Sequence, residues 1–480
     1  MIIRSRSEHT VSRKNIDADA LKVLYRLSRH GHTAHLVGGG VRDLLLGRTP
    51  KDYDIGTSAK PNQIKKLFRN AMLIGKRFRL AHIRFGPNII ETSTFRRMPE
   101  INADPSDPDA DLFCKRDNTF GSPEEDALRR DFTINGLFYD IKTFSVIDHV
   151  GGLEDLEKRL VRCIGDPAIR FREDPVRMLR AVRFASRLGF AIEQETYRAI
   201  LEHHEEIRKA PAQRVIEEVL RLFSYGSGEP AFRLLRETGL LQDLFPEIDR
   251  WLDMAGESET GLFWKMLEAL DRLEGVGDAP PPALALAVLF HAPLQDLVRS
   301  AKEQDPKTPF ASLVNRMLRP VALRMQIPKR IFFRMLMLYF HQARFDPESK
   351  RRFSKAKFVR QETFAEALWL YAVRVGAGQG DESSLAKWQE EFEQVRGETG
   401  QDSGSGRAPR KGKGTSPRSR ARKKSGGHKK SLDFIFLPNP SREPESFEAG
   451  EQNTSGNPGK KRKRRPRKRK NPESGNPNDG

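Results

Sequence analysis

The chain has 480 residues with 85 Lys and Arg against 65 Asp and Glu, a formal net charge of +20, and only 37% of its residues are hydrophobic. That length calls for more than one domain, the low apolar fraction says that part of the chain does not fold alone, and the charge points to a polyanionic partner, nucleic acid first. Two cysteines, Cys114 and Cys163, outside any CxxC or Cys/His cluster, argue against a disulfide framework or structural zinc, and no run is long and apolar enough for a secretion signal or a membrane span. A cytoplasmic protein with no membrane partner is expected.

From Ala34 to about Asp148 short apolar strands alternate with helices. The pattern predicts strands at 35–37 and 51–55, a helix opening over 41–46 between them, and a helix over 61–68 with proline near its start. Strand-like runs follow at 71–75 (AMLIG), 80–85 (LAHIRF) and 88–95 (NIIETSTF), which makes a small mixed sheet with helices. After Gly165 the period changes. In REDPVRMLRAVRFASRLGF, Met178, Ala181, Ala185 and Leu188 recur at three- and four-residue steps, the stripe of a buried helix face, and RVIEEVLRLF, EPAFRLLRETGLLQDLF and KRIFFRMLMLYF continue it to about residue 395. Breaks are expected at 256–259 and 275–282. Beyond Arg396 the chain is Gly, Ser, Pro, Lys and Arg with two basic blocks, 407–430 and 460–470. Residues 401–480 hold 22 basic and 8 acidic side chains, so the excess of charge is concentrated there. That composition predicts a disordered basic tail. The apolar island LDFIFLP (432–438) inside it is a candidate docking peptide for a protein partner, against the alternative of a fortuitous cluster.

Candidate chemistry begins at LVGGGVRDLLLGRTPKDYDIGT (36–57). Glycines 38–40 let the backbone turn and approach a ligand, the helix behind them presents free N–H groups, and Arg42 in its first turn could reach the same anion. The plain alternative is a strand-to-helix turn. On a strand, Asp52 and Asp54 point to one face, where two carboxylates repel unless a cation lies between them; otherwise they are a solvated strand end. Glu91 shares a strand face with Ile89, beside the two aspartates if the strands are neighbours, or exposed at a strand end. In EEDALRRDFTINGLFYD (124–140), Phe132, Ile134 and Leu137 read as buried; Arg129 and Arg130 could hold a phosphate, and Asp131 and Asn135 could orient a sugar or a loop, or Asp131 could pair with an arginine at a domain junction. Finally, Asp174 before Pro175 is a good N-cap, and Arg177, Arg180 and Arg183 recur along one helix side. Asp174 and Arg177 offer an acceptor and donors for a nucleobase edge, or are a cap and a solvated basic face.

In this order, LVGGGVRDLLLGRTPKDYDIGT, NIIETSTF, RRDFTINGL and REDPVRMLRAVRFA resemble the motifs of class II nucleotidyltransferases, the bacterial poly(A) polymerases and CCA-adding enzymes, over about residues 20–245. The resemblance implies an α+β fold: a nucleotidyltransferase catalytic head (17–150), a helical neck with nucleotide-binding arginines (151–230), a helical RNA-binding body (231–395) and the basic tail (396–480). It implies two Mg²⁺ ions on Asp52 and Asp54, nucleotide contacts from Gly39, Arg42, Arg130, Asp174, Arg177, Arg180 and Arg183, and Asp52, Asp54, Glu91 and Asp131 as the catalytic acids, the last two as matched acids near the site. RNAMLIGKRFRLAHIRFG (69–86) is similar to the segment that marks the poly(A) polymerases. Template-independent addition of AMP from ATP to RNA 3′ ends is therefore expected, with CCA addition to tRNA as the alternative.

Overall fold

The sheet that carries the site is assembled from residues far apart in sequence, in the order β1-β8-β7-β2-β3-β6-β5-β4. Its strands are β1 (Ile2–Arg4), β2 (Ala34–Val37), β3 (Ile55–Thr57), β4 (Ala71–Ile74), β5 (Leu80–Phe85), β6 (Asn88–Thr94), β7 (Leu137–Asp140) and β8 (Ser145–Asp148). The computed structural model describes residues 1–75, 80–98, 119–273, 279–346 and 353–401, with side chains through residue 395. Cys114, the 432–438 island, both basic blocks and part of the 69–86 segment lie outside these residues. Cys163 is buried as a free thiol.

Neighbouring strands are antiparallel except β3 and β6, which run parallel with Ile55 opposite Thr92. Helices α1 (Ala18–Arg29) and α3 (Pro61–Leu67) contact the sheet and each other, so one face is covered. Asp17 caps α1 by accepting from the N–H groups of Asp19 and Ala20, and Ala20, Val23, Leu24 and Leu27 turn inward at helical spacing. On β6, Ile90, Thr92 and Thr94 are buried while Ile89, Glu91 and Ser93 face the uncovered side. Strand alternation thus puts Glu91 with Ile89, as the sequence pattern requires.

Two expectations are corrected here. The second strand begins at Ile55 rather than Lys51, so Asp52 and Asp54 stand on the extended lead-in to β3, not within it. The Asp54 carbonyl still accepts from the Val37 N–H at 3.0 Å, which anchors that lead-in to β2. The helix after the glycines, α2 (Gly39–Leu45), starts two residues earlier than the apolar pattern indicated. Strand β1 also extends the sheet to residues ahead of position 17.

Beyond the sheet come α4 (Pro123–Leu128), α5 (Gly152–Lys158), α6 (Pro167–Glu173), α7 (Val176–Leu188), α8 (Gln194–His203), α9 (Ala212–Leu222), α10 (Gly228–Glu237), α11 (Leu240–Leu244) and α12 (Pro246–Met254). A two-residue parallel pair, β9 (Leu160–Val161) with β10 (Ala191–Ile192), interrupts the expected all-helical run and ties the start of α8 to the end of α5. Met178, Ala181, Ala185 and Leu188 are buried on α7, as their spacing predicts. The chain continues through α13 (Glu257–Leu273), α14 (Pro282–Leu289), α15 (His291–Gln304), α16 (Phe310–Arg324), α17 (Lys329–Gln342), α18 (Lys355–Val359), α19 (Phe364–Gly376) and α20 (Glu382–Gln401). Helix α14 is buried on all sides and packs against α13, α17 and α19. The break expected at 256–259 is shorter, since α13 already starts at Glu257; part of the second lies outside the described residues. Among the described residues no helix is long and apolar enough to cross a membrane.

The turn between β2 and α2 depends on Gly38. Its φ is +71°, and a Cβ there would lie 2.7 Å from Arg130 Nη1. Both the left-handed backbone and the passing guanidinium exclude a side chain. Gly38→Ala is expected to lower stability by about 1–3 kcal/mol, read from the midpoint of urea unfolding; an unchanged midpoint would contradict this account of the turn.

Candidate active site

The uncovered face of the sheet and the facing sides of α7 and α9 enclose a cleft of about 1000 Å³. All the sequence-predicted residues line it: Gly39, Arg42, Asp52, Asp54, Glu91, Arg130, Asp131, Asp174, Arg177, Arg180 and Arg183. They divide into side chains open to the cleft and side chains committed to holding its walls.

The carboxylates form the open group. Asp54 is solvent-accessible but flanked by protein. Loss of surrounding water pushes its pKa up to about 6, helped by Glu91 and Asp52 and opposed by Arg130. Glu91 pairs across the strands with His82, whose Nε2 lies 3.1 Å from Oε1. Among the described residues no group of three or more His, Cys, Asp or Glu is arranged to hold a metal. The donor set nevertheless suits a hard divalent cation of the magnesium kind, which takes one or two protein carboxylates and completes its shell with water and substrate phosphate.

The committed group runs as a chain across the cleft. Arg42 is only 2% exposed. Its Nε and Nη2 donate to Asp43 Oδ1 (2.8 and 2.6 Å), its Nη1 donates to Asn135 Oδ1 (2.6 Å), and its guanidinium lies over the Phe184 ring. The structure thus places it beneath the glycine turn rather than in the open. Asn135 Nδ2 donates to Asp131 Oδ1, which also accepts from the Phe132 N–H, and Arg180 Nε donates to Asp131 Oδ2 at 2.7 Å. Burial would raise the Asp131 pKa, but Arg180 and these hydrogen bonds hold it well below the usual carboxylate range. Arg180 also approaches Glu218 of α9, as does Arg183 (Nε to Oε2, 2.9 Å), which lies over Phe184. Burial brings the Arg183 pKa down to about 10 against the pull of Glu218, so it stays charged at neutral pH.

Arg130 donates to Asp126 and to the Asn135 carbonyl and lies over Phe138, beside Gly38. Gly39 lines the cleft at the start of α2. Asp174 does not cap α7 with its side chain, as its place before Pro175 suggested; it ends α6, and Arg214 of α9 holds its carboxylate bidentately at 2.9 and 2.8 Å. Arg177 Nη1 donates to the Arg170 carbonyl and to Glu173.

Sequence reasoning missed Asp43, Asp126, Arg187, Arg214 and Glu218. Arg187 carries a findable signal: it lies four residues past Arg183 on the same side of α7, and it bonds Asp43 while lying over Tyr225. Glu218 carries another, an acid among Val215, Val219 and Leu222 at core positions of an amphipathic helix, where a charge stays only if paired. Nothing in the sequence indicates that Arg214 meets Asp174.

Three family models match the chain: the poly(A) polymerase head domain at residues 34–162, a probable RNA- and SrmB-binding site of polymerase A at 189–252, and the polymerase A arginine-rich C-terminus at 302–425. Poly(A) polymerase I of Salmonella typhi is 41% identical over 402 residues, 82% of this chain and 86% of that protein. The Escherichia coli O6:H1 protein of the same name is 42% identical over 397 residues, 81% and 85% of the two chains. A CCA-adding enzyme of Bacillus velezensis is 37% identical over 225 residues, 47% of this chain and 55% of that one. Among solved structures, the Bacillus stearothermophilus CCA-adding enzyme in complex with CTP is similar with a TM-score of 0.58 at 26% identity, covering 79% of this chain and 82% of that one. The likeness to the two polymerases runs through head and helical regions alike, and the chain belongs to the poly(A) polymerase I family of nucleotidyltransferases.

Proposed function

We propose that this chain is a polynucleotide adenylyltransferase that adds AMP from ATP to the 3′ ends of RNA without a template, in the cytoplasm. The observation that carries the reading is the reach of the likeness: relatives named poly(A) polymerase I match about four fifths of the chain, whereas CCA-adding relatives match about half. CCA addition to tRNA is the second reading, favoured by the fold's likeness to a CCA-adding enzyme.

In this account the head (17–150) carries the chemistry, the neck (151–230) selects the base, the body (231–395) holds RNA, and the tail (396–480) adds sequence-independent RNA affinity through counter-ion release. Asp52 and Asp54 hold Mg²⁺, with Glu91 beside them strengthening the negative field. Two such ions, when bound, neutralise the triphosphate and make the RNA 3′-hydroxyl a better nucleophile. The arginine side of α7 draws the polyphosphate towards the carboxylates, and Arg130 stands at the glycine turn as a further cation. Arg42 and Asp131 are positioning residues: Asp131 fixes Asn135, Asn135 fixes Arg42, and Arg42 supports the turn that meets the phosphates. Asp174 keeps acceptor capacity beyond its two bonds to Arg214, and Arg177 keeps free N–H groups, so both can address a base edge from where they stand.

Incubation of a generic RNA and of a tRNA lacking its terminus with each nucleotide in turn separates the readings on one gel. Long products from ATP alone on both RNAs are expected; growth only on the tRNA, by CTP then ATP and then stopping, would replace this reading with CCA addition. A second expectation concerns Asp54. Because its folded pKa is raised, its ionisation costs the folded state stability above about pH 6 and not below the unfolded value. Asp54→Asn should therefore cut adenylation by roughly a hundredfold or more, yet melt at a higher temperature than the parent at pH 8 in EDTA. That advantage should shrink as pH falls towards 4. A variant that melts lower at both pH values would refute the electrostatic assignment.

A further inference from the structure

A second cavity, of about 840 Å³, lies among α13, α15, α16, α17 and α19 and shares no lining residue with the cleft. It is within the size range of small-molecule sites, which runs from roughly 300 to 1,000 Å³. On one side Phe310 of α16 packs edge-on against Phe340 of α17 at 5.7 Å. Its charged lining is balanced, with Arg299, Lys302 and Arg374 against Glu259, Asp296 and Asp346. A balanced interior suits a neutral planar ring better than a polyphosphate.

Two polar groups on its wall lack the partners that buried groups normally have. His291 is 4% exposed, and neither of its ring nitrogens has a hydrogen-bond partner. Its ring stacks on Tyr339 at 6.3 Å, and Tyr339 is itself fixed by donating to the Ala287 carbonyl at 2.6 Å. Burial, with the nearby Arg374 charge, brings the His291 pKa down to about 3, so the imidazole is neutral and presents one donor and one acceptor. Arg374 is also underused. Its Nε has no partner, its Nη1 reaches Gln342 at 3.4 Å, and its Nη2 lies 3.6 Å from Asp346. At the rim, Lys302 is exposed and makes no ion pair with a described residue.

We propose that this cavity takes one adenine base, from a free adenosine nucleotide or from an RNA strand, with His291 and Arg374 reading its edge and Lys302 meeting its phosphate. An acceptor on His291 beside the Nε–H donor of Arg374 complements adenine, whose N6 amino group donates and whose N7 accepts. With neither nitrogen bonded, the imidazole is free to take the tautomer that presents this acceptor, and the choice of adenine over guanine rests on the polymerase reading. Phe310, Phe340 and Tyr339 supply the apolar faces. The choice of adenine over another heteroaromatic ring rests in part on the polymerase reading above; the cavity and its unpartnered groups do not.

The test is photolabelling of the full chain with 2-azidoadenosine 5′-monophosphate in EDTA, followed by mass-spectrometric mapping. The azide at C2 leaves the N6–N7 edge free. Label is expected on peptides from α15 and α17, reduced at least tenfold in Arg374→Met and in Ala343→Trp. The second substitution adds bulk at an exposed position on the cavity wall and spares the core. Competition by AMP alone identifies the free nucleotide as the ligand; competition by hexa-adenylate as well identifies RNA. Label confined to peptides of the catalytic cleft, or body label indifferent to Ala343→Trp, overturns the proposal. Extension of RNA from ATP is read on the same unlabelled preparation. A wild-type chain that extends RNA but labels no body helix defeats this site alone, whereas one that extends no RNA defeats the polymerase reading.

Discussion

The ion pair between Asp131 and Arg180 is the contact on which the rest of the site depends. It joins the segment before β7 to α7, and through Asn135 and Arg42 it reaches the glycine turn on one side, through Glu218 it reaches α9 on the other. Arg42, Asn135, Asp131 and Glu218 have little access to water while Arg180 is partly exposed, so removing a partner leaves a buried side chain uncompensated. The cleft keeps its shape because its walls are linked by interactions that cannot be lost singly without a large penalty. Arg187 adds a parallel tie from α7 to Asp43, beside Arg42.

Against this rigid frame the three open carboxylates carry the unfavourable part of the electrostatics. Loss of surrounding water, and then the nearby Glu91 and Asp52, disfavours the ionisation of Asp54. In the proposed reading a cation held by these carboxylates would relieve that cost, a common trade of stability for function. The distinction between committed arginines and open carboxylates also explains why the cleft is not simply a basic groove. Most of its arginines are already paired, with Asp43, Asp126, Asp131, Asp174 or Glu218.

Much of this was legible in the sequence because it rests on local periodicity. The alternation in NIIETSTF assigns Glu91 its face, the three- and four-residue steps in RMLRAVRFASRL assign α7 its buried stripe, and the spacing of three glycines, an arginine and two aspartates marks the turn at which β2 gives way to α2. Where the pattern failed, the cause was tertiary. Asp52 and Asp54 precede β3 because the ladder with β6 begins at Ile55, a register that no local signal specifies. Asp174 has the sequence of a cap but meets Arg214, forty residues on, in a bidentate pair. Nothing near Arg42 in sequence reveals that Asn135 and Phe184 close over it. Pairings across long separations are set by packing, and only the resemblance to a known family brought these residues together beforehand.

The central claim is that the head and the arginine helix act as one site because Asp131 and Arg180 couple them. A double-mutant cycle tests it: Asp131→Asn, Arg180→Gln and the pair, each assayed for kcat and KM for ATP on an oligoadenylate primer. The account predicts that either single change lowers kcat/KM sharply and that the double variant is little worse than the poorer single one, a coupling of about 1.5–3 kcal/mol. Losses that simply add would contradict it, because the two residues would then serve the reaction independently.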